Sequence, residues 1–549
     1  MTSQSIPEKS KKKQIVTDFI FMKIDNKILL EKIKNNEVLN NPKTKKLLFI
    51  TAFILILLRI LSYAWCSDDA FHIYTMAKNL LDGNGFTPTP GLRVNVATCP
   101  LWALVVVFGM LFWNNPYAIG MIFNLLFSGI ALFLLFRLIY KKDNWFIVLV
   151  LVTAMLCLSR TYLSYTTSGL ENALILLFST LYLEVFFKNE YFSKKELFKI
   201  AFLEGLIAFT RMDCALIFSF TSAYAFLFRY KKDESDSAGF SWKKLFSVIL
   251  IAVAGLSPFI FWESFSLFYY GSFVPNTALA KLNTGFPLSD YFIRGVLYVL
   301  ESEIWDNFIV FIPFCFVLYV AKAFLKNHNI EKIFMITSGV MLYFCYIIYI
   351  GGDFMLGRHF LSLFWITLIL FAKNTPVLNF KLIFRCFIII YVFSSIAVVN
   401  KLAWATCDER EFYYKSTGLI PVMADYIKNG GITIISENKN CGIQWFYGGN
   451  KAYYEYRLYD PLLSRLPAIY HPKWRIGHME RKMPEGYQKT LDTGENHIED
   501  VDLAFYYSKL KFIISGDLLD WNRIKEILKF NNGVYERYLE SYVKRKNLK

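Results

Sequence analysis

Residues 66–86 read CSDDAFHIYTMAKNLLDGNGF and follow directly after the apolar run LLFITAFILILLRILSYAW at 47–65. An apolar run of about 20 residues is long enough to cross a bilayer as a helix. Asp68 and Asp69 therefore come immediately after a predicted membrane span. An ionisable residue at a membrane boundary is by default a candidate for function. The stretch thus predicts a membrane fold and a site at its edge.

The composition indicates a membrane protein. The chain has 549 residues, of which 55% are hydrophobic, 18% aromatic and 19% charged, whereas soluble domains are about 25% charged. Its formal net charge of +16 is concentrated in short Lys/Arg clusters between apolar runs. That pattern is typical of membrane orientation, so we expect a lipid bilayer and no nucleic acid as a partner.

Eleven segments are apolar enough to be predicted as membrane spans. They lie near 47–65, 117–137, 145–159, 170–187, 197–211, 213–229, 245–265, 305–323, 333–350, 359–373 and 381–400. The stretch 101–113 is shorter and follows a proline, which predicts an interfacial or re-entrant helix. With the N-terminus in the cytoplasm, the predicted inner loops carry an excess of Lys and Arg, as the positive-inside rule requires.

The predicted fold class is a mainly α, polytopic membrane protein with a C-terminal extracytoplasmic α/β domain. A cytoplasmic basic tail takes residues 1–46, the transmembrane domain takes 47–400, and the outer soluble domain takes 401–549. The α/β assignment depends on turn signals and two short β-like runs, ITIIS at 432–436 and KFIIS at 511–515.

The unusual polar stretches all fall on the outer face of this topology. They are CSDDAFHIY at 66–74, TSGLEN at 167–172, TRMD at 210–213, YYGSFVPNTALAK at 269–281 and GGDFMLGRHF at 351–360. Because all five stretches are predicted to lie on one face, a shared functional site is a better explanation than five unrelated polar loops.

The acidic pair Asp68–Asp69 has two interpretations. One carboxylate can act as a general base on a substrate hydroxyl while its neighbour tunes the pKa or orients the acceptor. Alternatively, the pair provides the N-cap of a helix over AFHIYTMAKNLL, with the second charge at the positive end of the helix dipole. Both roles are compatible.

Cationic residues on the same face fit an anionic ligand. Arg358 and His359 follow Asp353 where a span re-enters the membrane, and a guanidinium matches the geometry of phosphate oxygens. The alternative is an interfacial anchor. Lys281 offers a second cation for an anionic headgroup.

One further charged pair is a candidate for the site, and the sequence motifs that the chain lacks exclude several classes of enzyme. Arg211 and Asp213 lie between two short spans and form either a plain ion pair or part of the active face. The chain contains no GxSxG, HExxH, Walker or dinucleotide-binding pattern and no CxxC pair, so no cofactor or metal is expected. A transporter is an alternative, although its polar sites usually lie near the membrane midplane.

These stretches resemble those of GT-C glycosyltransferases, integral membrane enzymes that use polyprenyl-phosphate sugar donors at the extracytoplasmic face. DDAF at 68–71 resembles the acidic pair of the first outer loop in that superfamily. SGLEN and TRMD resemble its SGLE and RPD stretches, with Met212 in place of the usual proline.

Within the superfamily the chain is most similar to the mycobacterial terminal β-1,2-arabinofuranosyltransferase group. The likeness covers most of residues 47–490 and depends on four further stretches: YYGSFVPNTALAKL (269–282), GGDFMLGRHFL (351–361), YDPLLSRLP (459–467) and WRIGHMERKMPEGY (474–487). It implies a multi-pass protein of the bacterial inner membrane with a cytoplasmic N-terminus and a periplasmic C-terminal domain.

The resemblance also implies the substrates and the residues that handle them. The donor would be a polyprenyl-phosphate-linked sugar, with arabinofuranose as one candidate, and the acceptor a cell-envelope polysaccharide or lipopolysaccharide. Asp68 would be the base, with Asp69 orienting the acceptor or sharing the role, and cations would stabilise the departing phosphate. The substrate-binding residues would be Glu171, Arg211, Asp213, Asn276, Lys281, Asp353, Arg358 and His359, of which Arg358, His359 and Lys281 hold the phosphate.

Several alternatives stay open at this point. Inversion and retention of the anomeric configuration are both compatible with the sequence. A lipid-linked sugar flippase or exporter would share the topology, and a glycan-binding scaffold would depend on the outer domain alone. Cys66 with Cys99, and Cys407 with Cys441, face the outside in pairs and are candidates for disulfides, unless they are free thiols packed as small apolar residues.

Overall fold

The computed structural model describes residues 36–230, 242–314, 316–317, 320, 330–373, 406–429, 441–448 and 458–548. Within these ranges the chain is mainly helical, with isolated β-bridges and no strand. Short 3₁₀ and π segments occur at Met212–Ile217, Tyr224–Phe228 and Leu463–Arg465. The α-helices, in chain order, are α1 (Glu37–Asn40), α2 (Pro42–Tyr63), α3 (Asp68–Leu81), α4 (Pro100–Met110), α5 (Pro116–Tyr140), α6 (Trp145–Leu158), α7 (Arg160–Tyr165), α8 (Asn172–Lys188), α9 (Lys194–Thr210), α10 (Ser219–Ala223), α11 (Trp242–Gly255), α12 (Ser257–Tyr270), α13 (Asn276–Leu282), α14 (Leu288–Trp305), α15 (Glu331–Tyr349), α16 (Phe360–Lys373), α17 (Glu409–Thr417), α18 (Leu419–Asn429), α19 (Cys441–Gly448), α20 (Tyr487–Thr493), α21 (Val501–Ser515), α22 (Trp521–Asn531) and α23 (Glu536–Arg545).

Several helices fit a bilayer by length and composition. Helices α2, α5 and α15, with 22, 25 and 19 residues, are long and apolar enough to cross it. The pair Leu245–Gly255 and Ser257–Tyr270 would fit as a single span but is bent by 66°. Pro258, in the first turn of α12, has no N–H to continue the hydrogen bonds of α11. These three or four candidate spans support a multi-pass membrane protein, and the number eleven stays a prediction.

Other predicted membrane segments form shorter apolar helices. Helices α6 and α16 have 14 residues each, and α4 has 11. At about 1.5 Å per residue, α4 is about 16 Å long, roughly half of a hydrocarbon core. Phe108, Phe112 and Trp113 are exposed around its end, which fits the predicted interfacial or re-entrant helix. The predicted span 381–400 lies outside the described residues.

The acidic pair begins α3, but neither aspartate is its N-cap. Ser67 has the extended backbone of a cap, and its Oγ accepts a hydrogen bond from the Asp69 N–H at 3.3 Å. Asp68 and Asp69 are the first two helical residues, where the partial positive charge of the helix end favours carboxylates. The prediction of a helix is confirmed, and the assignment of an aspartate as its cap is wrong because Ser67 already fills that position.

Residues 406–419 join the two loops that flank the candidate site. Cys407 exchanges backbone hydrogen bonds of 2.8 and 3.2 Å with residues 354–356. Further along, residues 417–419 exchange backbone hydrogen bonds of 3.2 and 2.8 Å with residues 64–66. The exit of α2 is therefore fixed relative to the loop that follows α15.

The predicted strand KFIIS at 511–515 is wrong, because it lies in α21. Asp500 caps this helix and accepts hydrogen bonds from the N–H groups of Asp502 and Leu503 at 3.1 Å each. The buried side chains recur three and four residues apart, the period of a helix: Leu503, Tyr506, Tyr507, Leu510, Ile513 and Ile514. The other β-like run, ITIIS, lies outside the described residues.

Arg523 joins the C-terminal helices to the end of α12. Its side chain is buried, and Nη1 and Nη2 donate to the carbonyls of Phe268 and Tyr269 at 2.9 and 2.8 Å. Nε donates to the Ile513 carbonyl at 2.7 Å. Because the last carbonyls of a helix have no partner within it, this guanidinium supplies one from another helix.

We expect Arg523→Met to lower the free energy of unfolding by about 3 kcal/mol, because buried carbonyls would lose their donors. Thermal unfolding of the detergent-solubilised protein measures this loss. Lys525→Met changes an exposed cation on the same helix and should leave the Tm nearly unchanged. Equal Tm values for the two variants would contradict the proposed docking role.

Candidate active site

Glycines allow two loops to reach the start of α3. Gly169, in the SGLEN turn, has a φ of +76°, and a Cβ there would lie 2.6 Å from Tyr74 Oη and 2.8 Å from Cys66 Sγ. The turn therefore packs directly on the first turns of α3, which no other residue would permit. In the GGDFMLGRHF loop, Gly352 and Gly357 have φ values of +75° and +76°, and the chain turns sharply on either side of Asp353.

Arg358 brings three of the predicted stretches together. Its Nη2 lies 3.2 Å from Glu171 Oε1, and its Nη1 lies 3.5 Å from Asp69 Oδ2 and 3.8 Å from Asp353 Oδ2. The arginine is buried. All of the donors on its two Nη atoms thus face carboxylates or the Met355 sulfur.

Arg211 continues the same network toward α9. It forms a bidentate pair with Asp213, with Nε–Oδ1 and Nη2–Oδ2 distances of 2.9 Å. Its Nη1 lies 3.3 Å from Glu171 Oε1, and its Nη2 lies 2.7 Å from His359 Nδ1. Glu171 is therefore shared by two buried guanidinium groups, Arg211 and Arg358.

His359 closes the network. Its Nε2 lies 3.6 Å from Asp353 Oδ2 and its Nδ1 3.6 Å from Asp213 Oδ2. The Tyr343 hydroxyl donates to Asp213 Oδ2 at 3.1 Å and lies 3.1 Å from His359 Nδ1. Seven predicted site residues thus form one connected cluster, which we call the charged network: Asp69, Glu171, Arg211, Asp213, Asp353, Arg358 and His359.

Asp68 has a different environment from its neighbour. Its two carboxylate oxygens accept hydrogen bonds from the N–H groups of Gly442 and Ile443, each at 3.0 Å. Burial raises its pKa above the ordinary value, although these two N–H groups act in the opposite direction. Asp68 is only 7% exposed, and it joins α3 to the start of α19.

Asp69 is the accessible member of the pair. Its side chain is 31% exposed and its carboxylate lies beside Arg358. It therefore combines an open side with a fixed cationic neighbour, which Asp68 does not.

Glu409 is a buried acid that the sequence analysis missed. Its Oε2 accepts a hydrogen bond from Ser67 Oγ at 3.0 Å. Burial, together with the nearby charges of Asp69 and Asp68, raises its pKa well above the ordinary value. The run DERE at 408–411 follows a predicted span closely, so the rule that singled out the acidic pair would also have found Glu409.

Lys281 lies at the edge of the charged network. Burial alone would raise the pKa of Asp353, but the positive charges of Lys281, His359 and Arg358 hold it below its usual range. The lysine is half-buried, and a Cβ added to Gly477 would lie 3.3 Å from its Cε. Lys281 thus lies between the network and the C-terminal stretch WRIGH.

Asn276 makes its polar contacts with residues 458–465. Its side-chain N–H groups donate to the carbonyls of Leu458 and Asp460 at 2.8 and 3.2 Å. Its Oδ1 accepts from Ser464 Oγ at 2.8 Å and from Arg465 Nη1 at 3.2 Å. Among the described residues these contacts hold the YDPLLSRLP stretch and do not reach the charged network.

Three of the four cysteines predicted to face the outside are free thiols in the part of the chain that the structure describes. Cys66 and Cys99 are both buried and unbridged, and Cys407 is also free. Cys66 Sγ lies 3.5 Å from Tyr74 Oη, and burial raises the pKa of this thiol to about 12. Of the two alternatives, the free thiols are correct: Cys66 and Cys99 each pack as a small buried group and form no bridge. Because Cys407 is free, the candidate bridge between Cys407 and Cys441 is also wrong.

Among curated proteins, the chain is similar to the terminal β-(1→2)-arabinofuranosyltransferase of Mycobacterium tuberculosis, with 26% identity over 282 residues. The match covers 47% of this chain and 41% of the relative, so the chain spans less than half of the length of the curated protein it matches. No family model and no solved structure matches it. The resemblance found in the motifs is confirmed as a distant similarity to that protein.

We expect Glu171→Gln to lower the free energy of unfolding by about 3 kcal/mol, because breaking a buried ion pair leaves the other charge uncompensated. The control is Asp82→Asn, which removes an exposed pair with Lys78 whose side chains are 47% and 49% exposed. Such a pair contributes about 1 kcal/mol or less. Thermal unfolding of both variants tests the difference, and a Glu171→Gln protein as stable as the control would contradict it.

Proposed function

We propose that the chain is a membrane glycosyltransferase that moves a sugar from a polyprenyl-phosphate donor to a cell-envelope glycan at the periplasmic face. The observation that carries this proposal is the meeting of Asp69, from the acidic pair, with Arg358 and Glu171 in one charged network. Four separate stretches contribute to it, each beside the end of an apolar helix. The distant similarity to an arabinofuranosyltransferase supports the same class of reaction.

The proposed reaction needs one base and a stabilised leaving group. The acceptor hydroxyl oxygen forms a bond to the anomeric carbon of the sugar, and the bond from that carbon to the phosphate oxygen breaks. The electron pair leaves with the lipid phosphate, and the hydroxyl proton goes to a carboxylate of the protein. A glycosyl phosphate carries its own leaving group, so no general acid is required if cations stabilise the phosphate.

We assign the base to Asp69 rather than to Asp68. A general base must come within hydrogen-bond reach of the proton it accepts, so geometry is considered before pKa. Asp69 has an exposed side, whereas both oxygens of Asp68 already accept backbone hydrogen bonds. Asp68 then anchors α19 against α3 and holds its neighbour in place.

The charged network orients this base and shapes the sugar pocket. Arg358 contacts Asp69 directly, and Glu171 holds Arg358 from the buried side. Arg211 and Asp213 support Glu171 in turn. Because these charged groups are already paired with one another, the network positions the base before substrate binds, which lowers the cost of reorganisation during the reaction.

The finer specificity belongs to the same proposal. We propose a polyprenyl-phosphate-linked donor sugar, with arabinofuranose as a candidate because of the name of the relative, and a polysaccharide or lipopolysaccharide acceptor. We also propose eleven spans in the inner membrane, with a cytoplasmic N-terminus and a periplasmic C-terminal region. Mass analysis of surface glycans from cells with and without the protein would identify the sugar.

We expect Asp69→Asn to lower the rate of sugar transfer about 10²–10⁴-fold, because an amide keeps the size of the side chain but cannot accept the proton. Asp68→Asn should lower the Tm more than the rate per folded molecule, since an amide nitrogen would face a backbone N–H. Transfer is measured in membranes by mass spectrometry of glycan and donor. Full transfer by the Asp69→Asn protein would reject the assignment.

The same assay separates an enzyme from a flippase or exporter. A glycosyltransferase consumes the lipid-linked sugar and releases the lipid phosphate, whereas a flippase moves the donor intact. Asp82→Asn, on the exposed end of α3, is the control for both readouts. Donor that crosses the membrane without loss of its sugar would favour the flippase.

A further inference from the structure

A cleft outside the charged network is lined by two arginines. It lies between residues 93–95, the end of α12, the YDPLLSRLP stretch and helices α21 and α22, and its empty volume is about 370 Å³ with the solvent at its mouth included. Of the described residues that line it, Arg93 and Arg465 carry charge and none is acidic. A cleft lined by charge of one sign concentrates its electric field and attracts ions of the opposite sign.

Arg93 has hydrogen-bonding capacity that the protein does not use. Its Nη2 donates to the carbonyl of Gly516, and its Cζ lies 5.9 Å from the centre of the Tyr269 ring. Its Nε is buried and has no hydrogen-bond partner among the described residues. A buried N–H without a partner is unfavourable and uncommon, and a bound group that accepts a hydrogen bond is one explanation for it.

Arg465 lines the same cleft from the YDPLLSRLP stretch. Its Nη1 donates to Asn276 Oδ1 at 3.2 Å and to the Pro461 carbonyl at 2.6 Å, and its Cζ lies 5.6 Å from the centre of the Phe530 ring. These partners are neutral. In the part of the chain that the structure describes, neither Arg465 nor Arg93 forms an ion pair with a carboxylate. Both positive charges are therefore available to an anion.

The charges around the cleft also favour an anion. Burial and the positive charge of Arg93 lower the pKa of Arg523 to about 10, although Asp517 acts in the opposite direction. Burial raises the pKa of Glu536, although the charge of Arg465 acts in the opposite direction. Arg93 and Arg523 thus repel each other, and an anion bound beside Arg93 would relieve this repulsion.

Two segments connect the cleft to the charged network. Residues 93–95 line the cleft, and four positions later burial and the charge of Glu171 raise the pKa of the Cys99 thiol. Helix α13 begins at Asn276, on the cleft, and carries Lys281 near its other end. These two residues are about 8 Å apart along the helix axis. One glycan chain can therefore contact the network and the cleft together.

We propose that this cleft binds a negatively charged sugar residue of the acceptor glycan. The inference rests on the proposed glycosyl transfer and adds to it the charge of the acceptor. Arg93 and Arg465 bind the carboxylate or phosphate group of that residue, because hydrogen bonds from a guanidinium to an anion are among the strong ones in proteins. The Phe530 ring and the apolar side chains of α21 line the rest of the cleft.

The position of the cleft separates this anion from the phosphate of the donor. The bond that breaks must lie beside the proposed base, Asp69, whereas the cleft lies at the opposite end of α13 from Lys281. An acceptor glycan extends away from the hydroxyl that reacts, so a second sugar residue of the same chain can occupy a separate subsite. The cleft thus selects acceptors and takes no part in the chemical step.

Binding of glucuronate to the full chain in detergent, measured by ligand-observed NMR, tests the proposal without any sugar transfer. We expect wild type to bind glucuronate about tenfold more tightly than glucose, because only the acid supplies an anion. Arg93→Gln should weaken glucuronate binding about tenfold, the loss typical of one charge-assisted hydrogen bond. Val274→Trp places a large ring at the cleft from an exposed position and removes no charge, and it should abolish binding. Arg537→Gln changes an exposed arginine of α23 and should bind as wild type does.

Each outcome of this experiment decides the proposal. Equal binding of glucose and glucuronate would overturn it, as would unchanged glucuronate binding in both Arg93→Gln and Val274→Trp at a wild-type Tm. Tighter binding of glucose 6-phosphate than of glucuronate would support it and identify the anion as a phosphate, whereas the reverse would identify a carboxylate. Equal binding of inorganic phosphate, or displacement of glucuronate by dihexanoyl phosphatidylglycerol, would overturn the assignment to a glycan. Weakened binding in both variants, with no sugar transfer by wild type, would support the cleft and reject the proposed function instead.

Discussion

Glu171 lies between two buried arginines, and the positions of the other site residues depend on this arrangement. It is 1% exposed and lies 3.3 Å from Arg211 and 3.2 Å from Arg358. An unpaired charge costs several kcal/mol in such a place, so each guanidinium needs carboxylates around it. Asp213 meets this need for Arg211, and Asp69 contributes to it for Arg358. The start of α3, the SGLEN turn, the end of α9 and the loop after α15 must therefore meet at one point.

These loops can approach one another closely only because a glycine and a set of backbone hydrogen bonds permit it. Gly169 leaves no side chain between the SGLEN turn and α3, and a Cβ there would lie 2.9 Å from the Ala70 Cβ. Backbone hydrogen bonds from residues 406–419 then fix the exit of α2 and the loop after α15 relative to each other. The polar network and its surrounding backbone are thus interdependent, since the same loops contribute to both.

The predicted topology indicated four of the stretches that meet in the charged network, but not which atoms make the contacts. Hydropathy and the distribution of Lys and Arg predict that DDAF, SGLEN, TRMD and GGDFMLGRHF lie on one face, and in the structure residues from all four stretches contact one another. The partners of Arg358 depend on distances between helices, which no local pattern contains. Asp68 receives its N–H donors from residues 442 and 443, a tertiary contact invisible in the sequence. KFIIS is apolar enough for a strand, yet the Asp500 cap and the packing of α21 make it helical.

A single guanidinium relates the two chemical tasks of the proposed site. The same nitrogen of Arg358, Nη1, lies 3.5 Å from Asp69 Oδ2 and 3.8 Å from Asp353 Oδ2. The proposed base and the Asp353 carboxylate therefore share one nitrogen of Arg358. Burial would raise the pKa of Asp353, but nearby positive charges, including that of Lys281, lower it. An anomeric carbon must lie between the attacking hydroxyl and the departing phosphate. In the proposed site, Asp69 supplies an accessible carboxylate for the attacking hydroxyl, and Lys281 supplies a half-buried cation for the departing phosphate.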